Sequence, residues 1–511
     1  MSVTTVPHLV ATEAASSAFE RANDWLAGVL DATYGWTVVW VLIVMLIGVG
    51  LYFTIRLRAV QLRLFAHMVR SVSHSRKDAV GGISSFQAFA IGLADRVGTG
   101  TMAGVAIAIV SGGPGAVFWM WVVALVGMAT AFVESTLAQI FKVRNADGTF
   151  RGGPAFYLER GLKSRRWGAV FAVLLIFAYG FSFQMIQANT LAQVAEDSFH
   201  VAPWVTAIIL VLLTAPFIVG GVKPVARLAE YLAPIMALAY LAMAVAIVAL
   251  NADKLGAVFS SIFSEAFGWR QVGGGSAAGF IAALEQGVKR GLFTNEAGMG
   301  SAPNAAATAT VSHPVKQGLI QSLGVFVDTM IVCTATAFII LVGGIYVDGK
   351  APEGINGAVL TAQSLGQLGS WTQAVTFIIL AAFAYSTLLG NYTYAESNIK
   401  YLRGIDNKAW FIKGLTIFSI ALGSVLTLKA AWAIADWGTA LMTLVNLVAI
   451  VLLGRWVIGA LADYEEQRRT RHERDIVFIA TANRHLPGEL PGDVWAEDPR
   501  RDEPSSTISP N

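Results

Sequence analysis

The chain has 511 residues, of which 55% are hydrophobic and only 14% charged, with a formal net charge of +3. The charged share lies far below the roughly 25% of soluble domains, which excludes an ordinary soluble fold and places the chain among polytopic membrane proteins. A single cysteine, Cys333, excludes an internal disulfide and a cysteine-based metal site.

Taken in chain order, the first element is a leader. No Lys or Arg precedes Arg21 and the same stretch has no continuous apolar core, so residues 1–35 read as an extracytoplasmic leader, amphipathic or mobile, and not as a cleavable signal peptide. A membrane span needs about 20 mostly apolar residues. Eleven segments qualify: 36–55, 82–111, 114–141, 168–195, 203–221, 229–250, 276–311, 318–346, 371–399, 411–428 and 431–458. The loop beginning Arg151-Gly152-Gly153-Pro154 reads as a short amphipathic helix. The stretch 459–511, rich in charge and proline, reads as a mobile cytoplasmic tail.

Lys and Arg concentrate in loops 56–80, 142–166 and 400–413, which an eleven-span count puts on one face. Loop 196–202 on the other face has none. The basic face is therefore expected to be cytoplasmic, with the N-terminus outside and the C-terminus inside.

The second and seventh spans are interrupted. Gly92-Leu93-Ala94-Asp95-Arg96-Val97-Gly98-Thr99-Gly100-Thr101 and Gly291-Leu292-Phe293-Thr294-Asn295-Glu296-Ala297-Gly298-Met299-Gly300 put charge and glycine at the depth of the bilayer centre. An ionised side chain there costs at least about 2.5–3.5 kcal/mol, and unwound backbone is tolerated only where it lines a cavity or is buried in protein. With the 36–58 helix set aside, ten spans remain, and the breaks fall in the first and sixth. The expected architecture is an all-α protein with an extra N-terminal helix and a five-plus-five inverted repeat, 81–250 and 276–458, with two broken helices. The symmetry rests on spacing, since the halves show no convincing residue identity.

Each break exposes N–H groups on one half-helix and carbonyls on the other. A half-helix N-terminus suits a carboxylate and a C-terminal end suits a cation. A zwitterion fits both, its carboxylate near Thr99 and Gly100 and its ammonium near the carbonyls of Phe293 and Thr294. Asp95, Arg96 and Glu296 have a second reading, as structural partners of each other or of Arg290. Gly98-x-Gly100-x-x-Ala103 resembles a dinucleotide fingerprint but lacks the flanking strand that motif requires. Glu134 and Asp328 are further intramembrane charges, read as structural partners or, for Asp328, as a proton relay.

Several stretches resemble the alanine or glycine:cation symporter family (sodium:alanine symporters) of the amino acid–polyamine–organocation superfamily. They include Gly82-Ile83-Ser84-Ser85-Phe86-Gln87-Ala88, Val97-Gly98-Thr99-Gly100, Gly112-Gly113-Pro114-Gly115, Gly152-Gly153-Pro154, Phe293-Thr294-Asn295-Glu296-Ala297-Gly298-Met299-Gly300 and Ser386-Thr387 before Gly390. The resemblance implies a leucine-transporter-like fold and sodium-coupled uptake of small neutral amino acids across a bacterial inner membrane. It implies a substrate site of Asp95, Thr99, Gly100, Thr101, Gln187, Phe293, Thr294, Glu296, Thr387 and Asn391. It also implies a Na⁺ site formed by the carbonyls of Ala94 and Val97 with the hydroxyls of Ser386 and Thr387. Thr101 stands where the family usually has Asn, and Asn391 where it usually has Trp, so a larger or more polar substrate is expected. The expected partners are the amino acid and membrane lipid, without nucleic acid or an obligatory protein partner. Proton coupling and a transport-dead amino acid sensor remain the alternatives. An enzyme is not expected, because no nucleophile–base motif is present.

Overall fold

A computed structural model describes residues 7–75, 83–145, 148–220, 222–268, 278–347, 349–403 and 409–497. The molecule is almost wholly helical; the one strand pair among the described residues is a hairpin, Val143–Arg144 against Phe150–Arg151. Among the described residues seven helices are long and apolar enough to cross a membrane: Val38–Arg56, Gly115–Ile140, Arg165–Phe199, Pro224–Leu250, Pro314–Val342, Trp371–Leu402 and Leu428–Thr470. The pair Ser85–Arg96 and Gly100–Gly112, bent by 43°, makes an eighth. The other three predicted spans are helical but shorter or interrupted. Pro203–Ile218 and Trp410–Val425 are short apolar helices, and Ala278–Asn295 stops before Ala302–Thr308. Length and composition thus support seven or eight spans among the described residues, against the eleven expected.

The first helix runs Pro7–Arg56 and departs from helical geometry at Gly35, where the predicted leader ends. Three short helices lie in segments read as loops or left unassigned: Phe65–His74, Leu255–Ala266 and Gly357–Leu365. They are too short to register as spans; the first two bury only part of their surface, while Gly357–Leu365 is buried except at Gln363. The predicted amphipathic helix after Gly153 is Pro154–Gly161, with proline at its first turn, where the missing N–H costs nothing.

The tail departs from its sequence reading. The last long helix continues to Thr470, and residues 471–497 fold back onto the body. The Phe478 amide donates to the Ser312 carbonyl at 2.9 Å, and Trp495 Nε1 donates to the Gln139 carbonyl at 2.9 Å. Ile476, Phe478, Val494 and Trp495 are buried. Four apolar side chains spread through a charged, proline-containing stretch are enough to anchor it, and average composition hides them. Residues 498–511 of the predicted tail lie outside the described residues.

Candidate functional site

The first broken helix is started by its own sequence. Ser84 caps it: its Oγ accepts from the Gln87 amide and Gln87 Oε1 accepts from the Ser84 amide, both at 3.1 Å. This reciprocal capping box explains the Ser84-Ser85-Phe86-Gln87 motif physically. Gln87 Nε2 then reaches Glu230 at 3.0 Å. Helical geometry is lost at Val97 (φ −80°, ψ 64°), and a π-helical turn, Gly100–Gly104, restarts the segment. The start of this helix is tied to the end of the second broken one, since the Thr310 amide donates to the Ile83 carbonyl at 3.0 Å.

The second break lies a little later than its sequence reading. Phe293 and Thr294 remain helical, and Thr294 Oγ1 bonds back to the Gly291 carbonyl at 3.0 Å. The chain unwinds over 296–301, where Glu296, Gly298 and Gly300 take φ of 58°, 91° and 82°. Glycine adopts that left-handed region freely; Glu296 is an exception worth notice. Its carboxylate accepts from Ser301 Oγ at 2.8 Å.

The first break packs against the helical turn that leads into the second. A Cβ placed on Gly100 would sit 2.9 Å from the Phe293 ring, so only glycine allows this approach. Phe293 is stacked on Phe183 (centroids 4.3 Å apart) and tilted against Trp432 (4.5 Å). Gln187 Oε1 accepts from both the Thr99 amide (3.2 Å) and the Thr99 hydroxyl (2.8 Å). Thr101 Oγ1 turns back to the Gly98 carbonyl at 2.8 Å.

On the facing Trp371–Arg403 helix, the Ser386 and Thr387 hydroxyls converge on the Ala94 carbonyl at 3.4 and 2.9 Å. Thr387 also approaches the Asp95 carbonyl at 3.4 Å, and Gly98 lies against the same hydroxyl. Three of the four residues read as a sodium site are thus brought together; Val97 lies three residues along, at the helix end, its amide bonded to the Leu93 carbonyl. One turn after Thr387, Asn391 is completely buried, and neither atom of its carboxamide has a hydrogen-bond partner.

Charges crowd around the breaks. The Asp95 carboxylate packs on Gly390 and stands beside Glu296 and the Tyr394 hydroxyl. Arg96 is fully buried and donates to Gln321 Oε1 at 3.1 Å and to the Gln321 carbonyl at 3.3 Å. Its charge reaches Asp95, Glu296, Glu134 and Asp328. Arg290 does not join them. It pairs with Asp436 at 2.7 Å, as Lys289 does at 3.1 Å, and lies over the Trp432 ring.

Glu134 has a role that sequence reasoning missed. Its two oxygens accept from the Gly298 and Gly300 amides, each at 3.2 Å, and from Asn446 Nδ2 at 2.8 Å. The N–H groups freed by the second break therefore already hold an anion from within the protein. An intramembrane glutamate was the available signal; its target was not legible. Asp328 accepts from the neighbouring Thr329 hydroxyl at 2.9 Å within another π-helical stretch, Phe326–Cys333.

Residues 23–478 match the sodium:alanine symporter family. The chain belongs to that family. As a sodium:alanine symporter family member it is a multi-pass membrane protein of the amino acid symport type, in a family of transporters and not of enzymes. It is 45% identical to the probable sodium/glutamine symporter GlnT of Bacillus subtilis (strain 168) over 86% of this chain and 90% of that one. It is 42% identical to the putative sodium/proton-dependent alanine carrier protein YrbD of the same organism, over 84% and 90%. Its fold is shared with a manganese transporter of Eremococcus coleocola, at a TM-score of 0.50 and 13% identity over 75% of this chain and 82% of that one. The symporter family match ends at residue 478, so the buried Trp495 lies beyond it.

Proposed function

We propose that this protein takes up small neutral amino acids together with Na⁺ by alternating access, through eleven spans arranged as one helix plus a five-plus-five inverted repeat. The basic loops face the cytoplasm in this reading. The observation that carries it is the close approach of the first break, at Gly100, to Phe293 in the last helical turn before the second break, with paired hydroxyls of a third helix on the Ala94 carbonyl. Unwound carbonyls and hydroxyls are hard oxygen ligands of the kind that coordinate Na⁺ in broken-helix transporters. Na⁺ at Ala94, Val97, Ser386 and Thr387 would join the first broken helix to its neighbour, and it is cargo as much as coupling ion.

The amino acid occupies the space between the breaks, bounded by Asp95, Thr99, Gly100, Thr101, Gln187, Phe293, Thr294, Glu296, Thr387 and Asn391. Its ammonium is drawn to the facing carboxylates of Asp95 and Glu296, whose like charges a cation between them relieves. Its carboxylate displaces the Gln187 oxygen from Thr99, because that amide is already donated. The N–H groups of the second break are not open to it, being held by Glu134.

Asn391 extends the range to polar side chains. A buried carboxamide with no partner favours a ligand that can hydrogen-bond it, and a similar chain is named a probable sodium/glutamine symporter. Vesicles containing the purified protein should accumulate labelled alanine only with an inward sodium gradient, with serine and glutamine competing. Asn391→Trp should remove glutamine competition and keep alanine uptake. Uptake that ignores the sodium gradient refutes sodium coupling. Exclusive alanine/glycine transport by the unmodified chain refutes the role of Asn391. A second reading, proton coupling through Asp95 or Glu296, is favoured by the adjacency of those carboxylates and by the name of a relative. Strong uptake in sodium-free buffer at fixed pH would select it.

A further inference from the structure

A cleft of about 320 Å³ opens beside the β-hairpin, lined by Arg144, Arg151, Arg160, Arg165 and Lys400 with Glu159 as the lining carboxylate. That volume falls within the roughly 300–1,000 Å³ of small-molecule sites. The lining itself carries these five cations against one carboxylate, and the carboxylates that balance them lie mostly outside it. Arg165 reaches Glu159 at 3.5 Å and Lys400 holds Glu396 at 2.9 Å. Arg160 donates to the Pro491 carbonyl at 3.2 Å, with the Glu159 and Asp493 carboxylates near enough to act on its charge. Arg151 is half-buried, its Nε shielded from solvent without a hydrogen-bond partner, and its guanidinium stands 5.8 Å from the Phe156 ring. The Val143–Arg151 and Arg144–Phe150 register of the hairpin fixes both strand arginines at its rim.

The position of the cleft matters as much as its charge. Arg165 opens the apolar helix Arg165–Phe199, and Trp167, two residues on, is 55% exposed. Trp410, at the start of another apolar helix, is 69% exposed. Exposed tryptophans at helix starts mark the membrane–water boundary, so the cleft stands at headgroup depth. Planar guanidinium forks match phosphate oxygens two at a time, and basic pockets beside spanning helices suit anionic headgroups.

We propose that this cleft is a binding site for a phosphate group, supplied either by the headgroup of an anionic phospholipid or by free inorganic phosphate. Lys400 and Tyr401 belong to the helix that carries Ser386 and Thr387, so the bound phosphate braces the base of that helix against the hairpin. The inference does not depend on the transported substrate or the coupling ion.

The test uses the full chain purified in mild detergent and native mass spectrometry with phosphatidylglycerol and phosphatidylcholine. The comparison variant is Arg144→Gln/Arg151→Gln/Arg165→Gln, and Arg468→Gln/Arg469→Gln/Arg471→Gln serves as the charge-matched control. The wild type and the control should retain phosphatidylglycerol several-fold over phosphatidylcholine, and the cleft variant should lose that preference. Inorganic phosphate at millimolar concentration, read by thermal unfolding, separates the sources. Stabilisation of the wild type by phosphate, absent in the cleft variant and without lipid preference, assigns the site to a free phosphate. If the triple variant does not fold, the single Arg151→Gln and Arg151→Lys variants carry the test, with lysine expected to retain part of the preference. Equal phosphatidylglycerol retention in wild type and cleft variants, with no phosphate effect, overturns the proposal.

Discussion

Glu134, fully buried, holds the second break in shape. It supplies the acceptors for two backbone N–H groups released by the second break and for Asn446 Nδ2. A hydrogen bond to a charged group contributes about 1.5–3 kcal/mol, and a buried donor left without a partner costs about 1–3 kcal/mol. Glu134→Gln keeps the size but turns one acceptor into a donor, so at least one bond is lost, for about 1.5–3 kcal/mol. Glu134→Ala orphans both amides and should cost about 2–6 kcal/mol, a large part of the roughly 5–15 kcal/mol by which proteins are stable. Thermal unfolding of the purified protein in detergent should rank wild type above Glu134→Gln above Glu134→Ala. Asn446 also donates to the Gly298 carbonyl at 2.9 Å, so Glu134→Gln and Asn446→Ala should be non-additive when combined. Wild-type stability of Glu134→Gln, or simple additivity with Asn446→Ala, would refute the account of how the break is held.

Other outcomes follow from the same geometry. Gly98→Ala places a methyl against the Thr387 hydroxyl, so it should lower the unfolding temperature, and Thr387→Ala in the same chain should restore part of the loss; a neutral Gly98→Ala would contradict the packing. Trp495→Ala removes a buried indole and its bond to Gln139, a change worth about 3–5 kcal/mol for large aromatics. It should expose 471–497 to limited proteolysis, and an unchanged cleavage pattern would count against the folded-back tail. Burial pushes His313 below its ordinary value of 6.5, although Asp463 at 3.0 Å pulls the other way and Lys316 adds to the depression. A depressed histidine contributes stability that is present above about 6.5 and lost as pH falls. Unfolding temperature should therefore drop on acidification below that value and flatten in His313→Gln; a flat wild-type profile would refute it.

The sequence by itself determined that this is a helical membrane protein and where its helices are interrupted. Spans are long apolar runs and the breaks are charge and glycine within them, so both are local signals that survive without tertiary information. The Ser84–Gln87 cap is equally local. The same holds for Ser386 and Thr387 as a pair, although their meeting with Ala94 depends on two segments nearly 300 residues apart. Only the tertiary structure decided which groups satisfy which. Glu134 reaches across 164 residues to the Gly298 amide, Arg290 chooses Asp436 over Asp95, and Gln187 claims the amide assigned to a substrate. The tail shows the same limit, since Phe478 and Trp495 are sparse apolar residues in a polar stretch, and only a surface built from distant loops gives them something to bury against. Periodicity and composition report how a segment meets its surroundings on average. Hydrogen-bond partners are set by distances between segments, which packing alone fixes.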